Sequence, residues 1–281
     1  MMDIIYNIME KLLPFSWVEY NFMKNALLAI LIITPLFGIL GTMVINNKMA
    51  FFSDSLGHSA FTGLAIGTIF GIKDTNLSMV LYAILFALLL NNINRKKTLS
   101  TDTVISVFSS LSMAIGLMIL SRGGKFSNYS SLLIGDILSI TMGEIGLLCI
   151  VFVVTIVYWF LCFNKLNSVG VNISLARSKN IKTNIIEDSF SVLIAIIVML
   201  SIKWVGILLI NALLILPAAA GKNIASNMRE YHLFSVLIAA FSGLMGLILS
   251  YYLGTATGPT VVIIAAIMFF ITLIVGSSKS K

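Results

Sequence analysis

Apolar residues run along this chain in blocks close to the length of a membrane span, separated by short polar or charged stretches. The blocks are roughly 22–45, 53–71, 77–94, 103–121, 143–163, 185–202, 204–221, 232–252 and 259–276. A helix needs about 20 apolar residues to cross about 30 Å of hydrocarbon. The pattern therefore predicts an all-α integral membrane protein, a polytopic bundle of eight or nine transmembrane helices. The blocks are far longer than the ~10-residue alternating strands of a membrane barrel. Only Lys203 separates the sixth block from the seventh. A further apolar piece, 129–140, is too short to cross and is expected as a re-entrant or surface helix. Residues 1–21 form an amphipathic N-terminal segment, with a surface helix over 2–20 that ends near Pro14. No long polar stretch is left for a second domain, so 1–281 reads as one transmembrane domain.

Composition agrees with this reading. The 281 residues are 59% hydrophobic and 10% charged, against about 25% charged in soluble domains. The net charge of +7 does not point to nucleic acid, because the basic residues are scattered singly between apolar runs. Their asymmetry orients the chain instead. With Arg95-Lys96-Lys97 and the 164–183 loop placed inside, twelve of the 18 Lys and Arg residues fall on the inner side. Nine spans then put the N-terminus outside and the C-terminus inside. No basic region leads directly into an apolar core and cleavage site, so no cleaved signal peptide is expected. Cys149 and Cys162 share one apolar block without metal or redox spacing and read as buried structural thiols.

The chemistry concentrates in 53–71. Residues four apart on a helix lie above one another, so Asp54, His58 and Thr62 form one stripe. Ser55, Ser59, Gly63, Gly67 and Gly71 form the next, and small residues at that spacing let another helix backbone approach in lipid. If the chain is helical from Lys48, His58 lies about 15 Å into the hydrocarbon. Ionisable groups at such depth usually face a cavity or pathway. An imidazole and a carboxylate on adjacent turns can share a divalent cation, His suiting zinc and carboxylate oxygen also suiting manganese. Two other readings stay open. Asp54 or Ser53 could cap the helix start while His58 satisfies a neighbour, or the pair could relay protons.

Elsewhere, Asn211 is a polar group in lipid expected to bond a neighbouring helix. Pro217 removes a backbone donor and should kink its helix. The 164–183 loop is the longest on the inner side, with Ser174 placed to cap a short helix through about Asn180. Asp136 and Glu144 read as solvated carboxylates on the outer side. No phosphate-binding loop is present: Gly221-Lys222 is followed by Asn223, and Gly124-Lys125 by Phe126. The second histidine, His232, falls in the last inner loop, and no serine–histidine–acid arrangement suggests itself. The chain reads as a transport subunit, not an enzyme.

Several segments resemble the permeases of metal-type ABC importers, which take up zinc, manganese or ferrous iron. They are Asn25-Ala26-Leu27-Leu28; Lys48 through Ala60, including Phe52-Ser53-Asp54-Ser55-Leu56-Gly57-His58; Gly135-Asp136-Ile137-Leu138-Ser139; Val205-Gly206-Ile207 running to Leu216-Pro217-Ala218; and Gly246 through Tyr252 with Thr257-Gly258-Pro259-Thr260. They occur in the family's order over nearly the whole chain. The resemblance implies a bacterial plasma-membrane protein that works as a homodimer in the lipid bilayer. It would work with a dimer of cytoplasmic ATP-binding subunits and an extracytoplasmic metal-binding lipoprotein. It implies Asp54 and His58 as the metal site in the path; Thr62, Gly63, Gly67, Asn211 and Pro217 are read from spacing and residue type as pathway or packing residues. It also implies Ser174, Leu175, Ala176 and Arg177 in the helix that couples to the ATPase. The cargo would be Zn2+, or Mn2+ or Fe2+, with no permanently bound cofactor. The 135–138 and 214–218 segments look most like zinc permeases. An ion-coupled secondary transporter using Asp54 and His58 as a relay is the alternative.

Overall fold

The computed structural model describes residues 6, 9–11, 16–72, 74–96, 100–122 and 126–279. All regular structure among them is helical: α1 (Asn21–Asn46), α2 (Ala50–Phe70), α3 (Thr75–Asn94), α4 (Thr101–Arg122), α5 (Met142–Val171), the short α6 (Ile173–Ser178), α7 (Thr183–Val205), α8 (Ile207–Ile224), α9 (Met228–Leu253) and α10 (Thr257–Lys279). Seven of these are long and apolar enough to cross a membrane, and Leu209–Ile224 of α8 is a shorter apolar helix. The remaining long helix, α2, is not among the seven, because serines, glycines, Asp54 and His58 dilute its apolar residues.

The helices pack as two groups joined through α8. α2 packs against α3 and α4, and α3 against α7; α1 packs against α9 and α5, and α8 against α9, α10, α1 and α2. In lipid there is no hydrophobic gain from bringing such helices together, so close packing and interhelical hydrogen bonds hold them. At the Lys48 end, Asn46 donates to Asn167 of α5 (3.1 Å), and Arg95 at the end of α3 pairs with Asp188 of α7 (2.5 Å). At the Lys24 end, Asn25 donates to the Ile140 carbonyl (3.3 Å) and Lys203 pairs with Glu144.

Several expectations shift. The sixth and seventh blocks part at Gly206, not at Lys203. Gly206 sits at φ 93° with its backbone against Ile134 and Gly135, a conformation and a closeness that a side chain would not tolerate. The 129–140 piece is not a helix. It consists of two 3-10 turns, Ser130–Leu133 and Ile137–Ser139, on either side of Gly135, and Asp136 caps the second by accepting from Leu138 N (3.0 Å). α5 continues to Val171, past the expected end of its span, so less of 164–183 is loop. Glu144 is not simply solvated: besides Lys203 it accepts from the Thr141 amide and hydroxyl (2.8 Å each).

The N-terminal segment does not lie only on the surface. Met9, Trp17 and Val18 are buried in the bundle, and buried Lys24 pairs with Glu10; Pro14 is outside the described residues. Cys149 is exposed on the outward side of α5 and Cys162 is half-buried, so neither is a core thiol. His232 lies in α9, buried, with its ring edge-on to Trp159 and Phe163.

Candidate functional site

α2 begins at Ala50, after a turn in which Lys48 takes φ 57°. The chain is therefore not helical from Lys48, and Asp54 and His58 stand about 6 and 12 Å from the start of α2. Met49 flanks the helix without a side-chain cap. Asp54 lies a full turn inside, which removes the capping reading for it. Ser53 bonds back to the Ala50 carbonyl (2.8 Å) and donates to Asn211 Oδ1 in α8 (2.6 Å). Asn211 thus ties α8 to α2, one residue from the carboxylate.

His58 Nε2 lies 3.6 Å from Asp54 Oδ2. Two ligands bound at about 2.1 Å in tetrahedral geometry stand about 3.4 Å apart, so the pair is already near chelating distance. Both side chains face a cavity of about 230 Å³ between α2 and α4, closed opposite them by Ser106, Ser109 and Ser110. The Asp54 side chain is 47% exposed and that of His58 29%. The other imidazole nitrogen, Nδ1, is buried with no hydrogen-bond partner among the described residues, so the ring is oriented through its Asp54 contact. Among the described residues, no group of three or more His, Cys, Asp and Glu could hold a metal ion. The chain supplies two strong ligands and a hydroxyl wall, and water or another polypeptide would complete an ion's shell.

The three serines of α4 were not singled out from the sequence. Their spacing, i, i+3 and i+4, puts them on one helix face, the signal by which they could be found. Ser55 and Ser59 of α2, by contrast, bond to carbonyls of their own helix (2.8 Å each).

The remaining predicted positions fall into two places. Thr62 is buried one turn beyond His58, where it donates to the Ser112 carbonyl and accepts from the Ser112 hydroxyl (3.1 Å). It holds α2 to α4 and does not line the cavity. Gly63 and Gly67 face α3: a Cβ on Gly63 would lie 2.9 Å from Met79 Cα, and one on Gly67 would lie 2.6 Å from Ser78 Cβ. Pro217 lies inside α8, which runs through it to Ile224. At the Lys48 end, Ser174, Leu175, Ala176 and Arg177 all lie in α6. Its cap is Asn172, not Ser174: the Asn172 side chain accepts from the Ser174 and Leu175 amides (2.8 and 3.2 Å). α6 stops at Ser178, before Asn180, which takes φ 57°. Ala176 is fully buried, Leu175 is exposed, and Arg177 Nε donates to Thr183 Oγ1 (3.3 Å).

Comparison with known proteins extends the geometry. Residues 19–276 match the family described as the ABC 3 transport family. The high-affinity zinc uptake system membrane protein ZnuB of Haemophilus influenzae is 30% identical over 261 residues, spanning 90% of this chain and 97% of its own. The manganese import system permease protein ScaB of Streptococcus parasanguinis is 25% identical over 263 residues, spanning 94% of each. In the solved structure of PsaBC from Streptococcus pneumoniae in complex with Fab, one chain superposes with a TM-score of 0.80. The match covers 97% of this chain and 95% of that one at 22% identity, a likeness of fold.

Proposed function

The chain belongs to the ABC 3 transport family, and from that premise we propose that it is the membrane permease of an importer for a divalent transition metal ion, with zinc as the cargo. The observation that carries the proposal is the Asp54–His58 pair, 3.6 Å apart and facing an open, serine-lined cavity between α2 and α4. Its resemblance to zinc permeases in the 135–138 and 214–218 segments favours zinc, and so does the 30% identity to the Haemophilus influenzae protein.

In this reading the Lys48 end faces the cytoplasm of a bacterium. An extracytoplasmic metal-binding lipoprotein delivers the ion at the Lys24 end. Asp54 and His58 hold it transiently, with the α4 hydroxyls and water filling the shell. A site in a transport path has to bind well enough for entry and weakly enough for release, and two ligands with hydroxyls suit that better than a closed four-ligand cage. A dimer of ATP-binding subunits docks at α6 through residues 174–177, and a second copy of the chain covers the open side of the cavity.

The test is uptake into vesicles that hold the chain with its ATP-binding and metal-binding partners, with zinc, manganese or ferrous iron supplied and ATP present or absent. ATP-dependent zinc uptake that falls at least about tenfold in both Asp54→Ala and His58→Ala is the expected result. Manganese or iron uptake in place of zinc overturns the cargo and keeps the class. Uptake indifferent to ATP but lost with the proton gradient overturns the class in favour of a secondary transporter.

A further inference from the structure

A second and larger cavity, of about 850 Å³, lies at the Lys48 end, and one side chain borders both cavities. That side chain is Ile105, in the first turns of α4 and only 4% exposed. Along α4 the lining passes without a gap from Thr101 and Ile105 in the large cavity to Ile105, Ser106, Ser109 and Ser110 in the small one. On α2 the two spaces lie against different faces: buried Phe52 lines the large cavity and exposed Phe51 the small one. The two spaces therefore meet at Ile105 of α4.

Resting on the Asp54/His58 reading above, we infer that the large cavity is the chamber into which the ion is released, and that Ile105 is the septum closing it from the Asp54/His58 cavity. Size permits this. A water occupies about 30 Å³, so an ion with six waters needs roughly 200 Å³. The chamber takes such a species whole, and the upper cavity just takes one.

The lining suits release better than retention. It is rich in amides, including Asn91, Asn94 and Asn184, and the Asn94 carbonyl oxygen is buried with no hydrogen-bond partner. Neutral oxygens accept a hydrated divalent ion weakly. The lone carboxylate of the lining, Glu187, stands 4.0 Å from Arg95 Nε, and Lys48 and Arg177 also border the space. A dication arriving there meets no free anion to hold it. The floor includes Ser174 and Arg177 of α6, so a partner docked on α6 touches the wall of the same chamber. An apolar constriction between two wet spaces blocks ions because water leaves it, and Ile105, buried and common to both linings, is the apolar group placed to form one.

The test uses the assembled transporter in proteoliposomes, with zinc ion as the probe. Ile105→Ala should allow downhill zinc flux without ATP, at about tenfold the wild-type leak. Ile105→Trp should abolish ATP-driven uptake while the chain still assembles with its ATP-binding subunit. Val104→Ala, a neighbouring buried residue that borders neither cavity, should leave the leak at the wild-type level. If Ile105→Ala fails to assemble, Ile105→Val is measured instead and should leak in the same direction by a smaller factor. A wild-type leak in the Ile105→Ala or substituted Ile105→Val protein overturns the inference. So does full uptake in Ile105→Trp, or an equal leak in Val104→Ala. Asp54→Ala measured alongside separates the two levels. Loss of uptake there with unaltered Ile105 variants sinks the chamber alone, whereas normal uptake in Asp54→Ala sinks the site reading beneath it.

Discussion

α2 turns two flanks to its neighbours, and they are built on opposite principles. Toward α3 it presents Gly63 and Gly67, and the backbones come so close that a Cβ would strike Met79 or Ser78. Toward α4, about two and a half turns nearer the Lys48 end, it presents Asp54 and His58 across a 230 Å³ cavity lined by Ser106, Ser109 and Ser110. The first flank has no room for a side chain and the second leaves an open space. In a lipid solvent both are needed on one helix. Tight packing against α3, and against α4 where Gly116 meets the Thr62 backbone, fixes the helix, so that nearer the Lys48 end two ionisable groups can stay near a ligand without collapsing onto a neighbour.

The largest effect should come from breaking the closed flank. Gly63→Val places branched carbons where Met79 Cα already sits, and backbone cannot rotate away as a side chain can. Overpacking of this kind costs about 1–3 kcal/mol or more, so a marked fall in melting temperature of the detergent-solubilised protein is expected, with loss of the folded species in chromatography. A Gly63→Val protein with the wild-type melting temperature would mean that the α2–α3 seam is looser than its geometry.

Breaking the open flank should do the reverse. Asp54→Asn keeps shape and removes charge from a side chain that is about half exposed. Stability should stay within about 0.5 kcal/mol of wild type, while ATP-driven zinc uptake falls at least about tenfold. Melting curves and uptake measured on one preparation check both halves. A destabilised Asp54→Asn protein would assign the carboxylate to the fold instead of the pathway.

How much of this contrast could be read from the sequence follows from where each signal lives. The nine apolar blocks, the Asp54–His58 spacing and the small-residue stripe are local patterns, and the long helices follow them. What the sequence did not give depends on tertiary approach. The break between α7 and α8 was assigned to Lys203, since charge is the visible signal, but it belongs to Gly206, whose φ of 93° accompanies the passage of Ile134 and Gly135 against its backbone. Asn172 caps α6 where Ser174 was expected, because both types cap well and only the turn geometry chooses. Cys149 was placed in the core because its block is apolar. α5, however, is apolar on all sides and turns that cysteine outward. Hydrophobicity marks a span in lipid and does not mark its buried face.

A smaller effect tests the joint between the flanks. Ser53→Ala removes the hydroxyl that donates to Asn211 Oδ1 at 2.6 Å. Hydrogen bonds between membrane helices are worth about 0.6 kcal/mol on average and rarely above about 1.7. A destabilisation near 1 kcal/mol is expected, read as a modest drop in melting temperature with uptake largely kept. A far greater loss of uptake than of stability would move Asn211 from packing into the path.

The smallest and most discriminating change compares two serines on facing helices. Ser59 is fully buried on α2 and its hydroxyl donates to the Leu56 carbonyl of its own helix. Ser109 lines the cavity on α4. Bonds of the first kind support a helix little, so Ser59→Ala should change stability by no more than about 0.5 kcal/mol and uptake not at all. Ser109→Ala should leave stability equally untouched and raise the zinc concentration for half-maximal uptake by about two- to threefold, because one neutral oxygen near the ion is lost and a water can replace it. The pair is informative because the substitution is chemically the same in both places and only its surroundings differ. Equal uptake in the two variants would reduce the α4 hydroxyls to scenery and leave Asp54 and His58 to hold the ion with water alone.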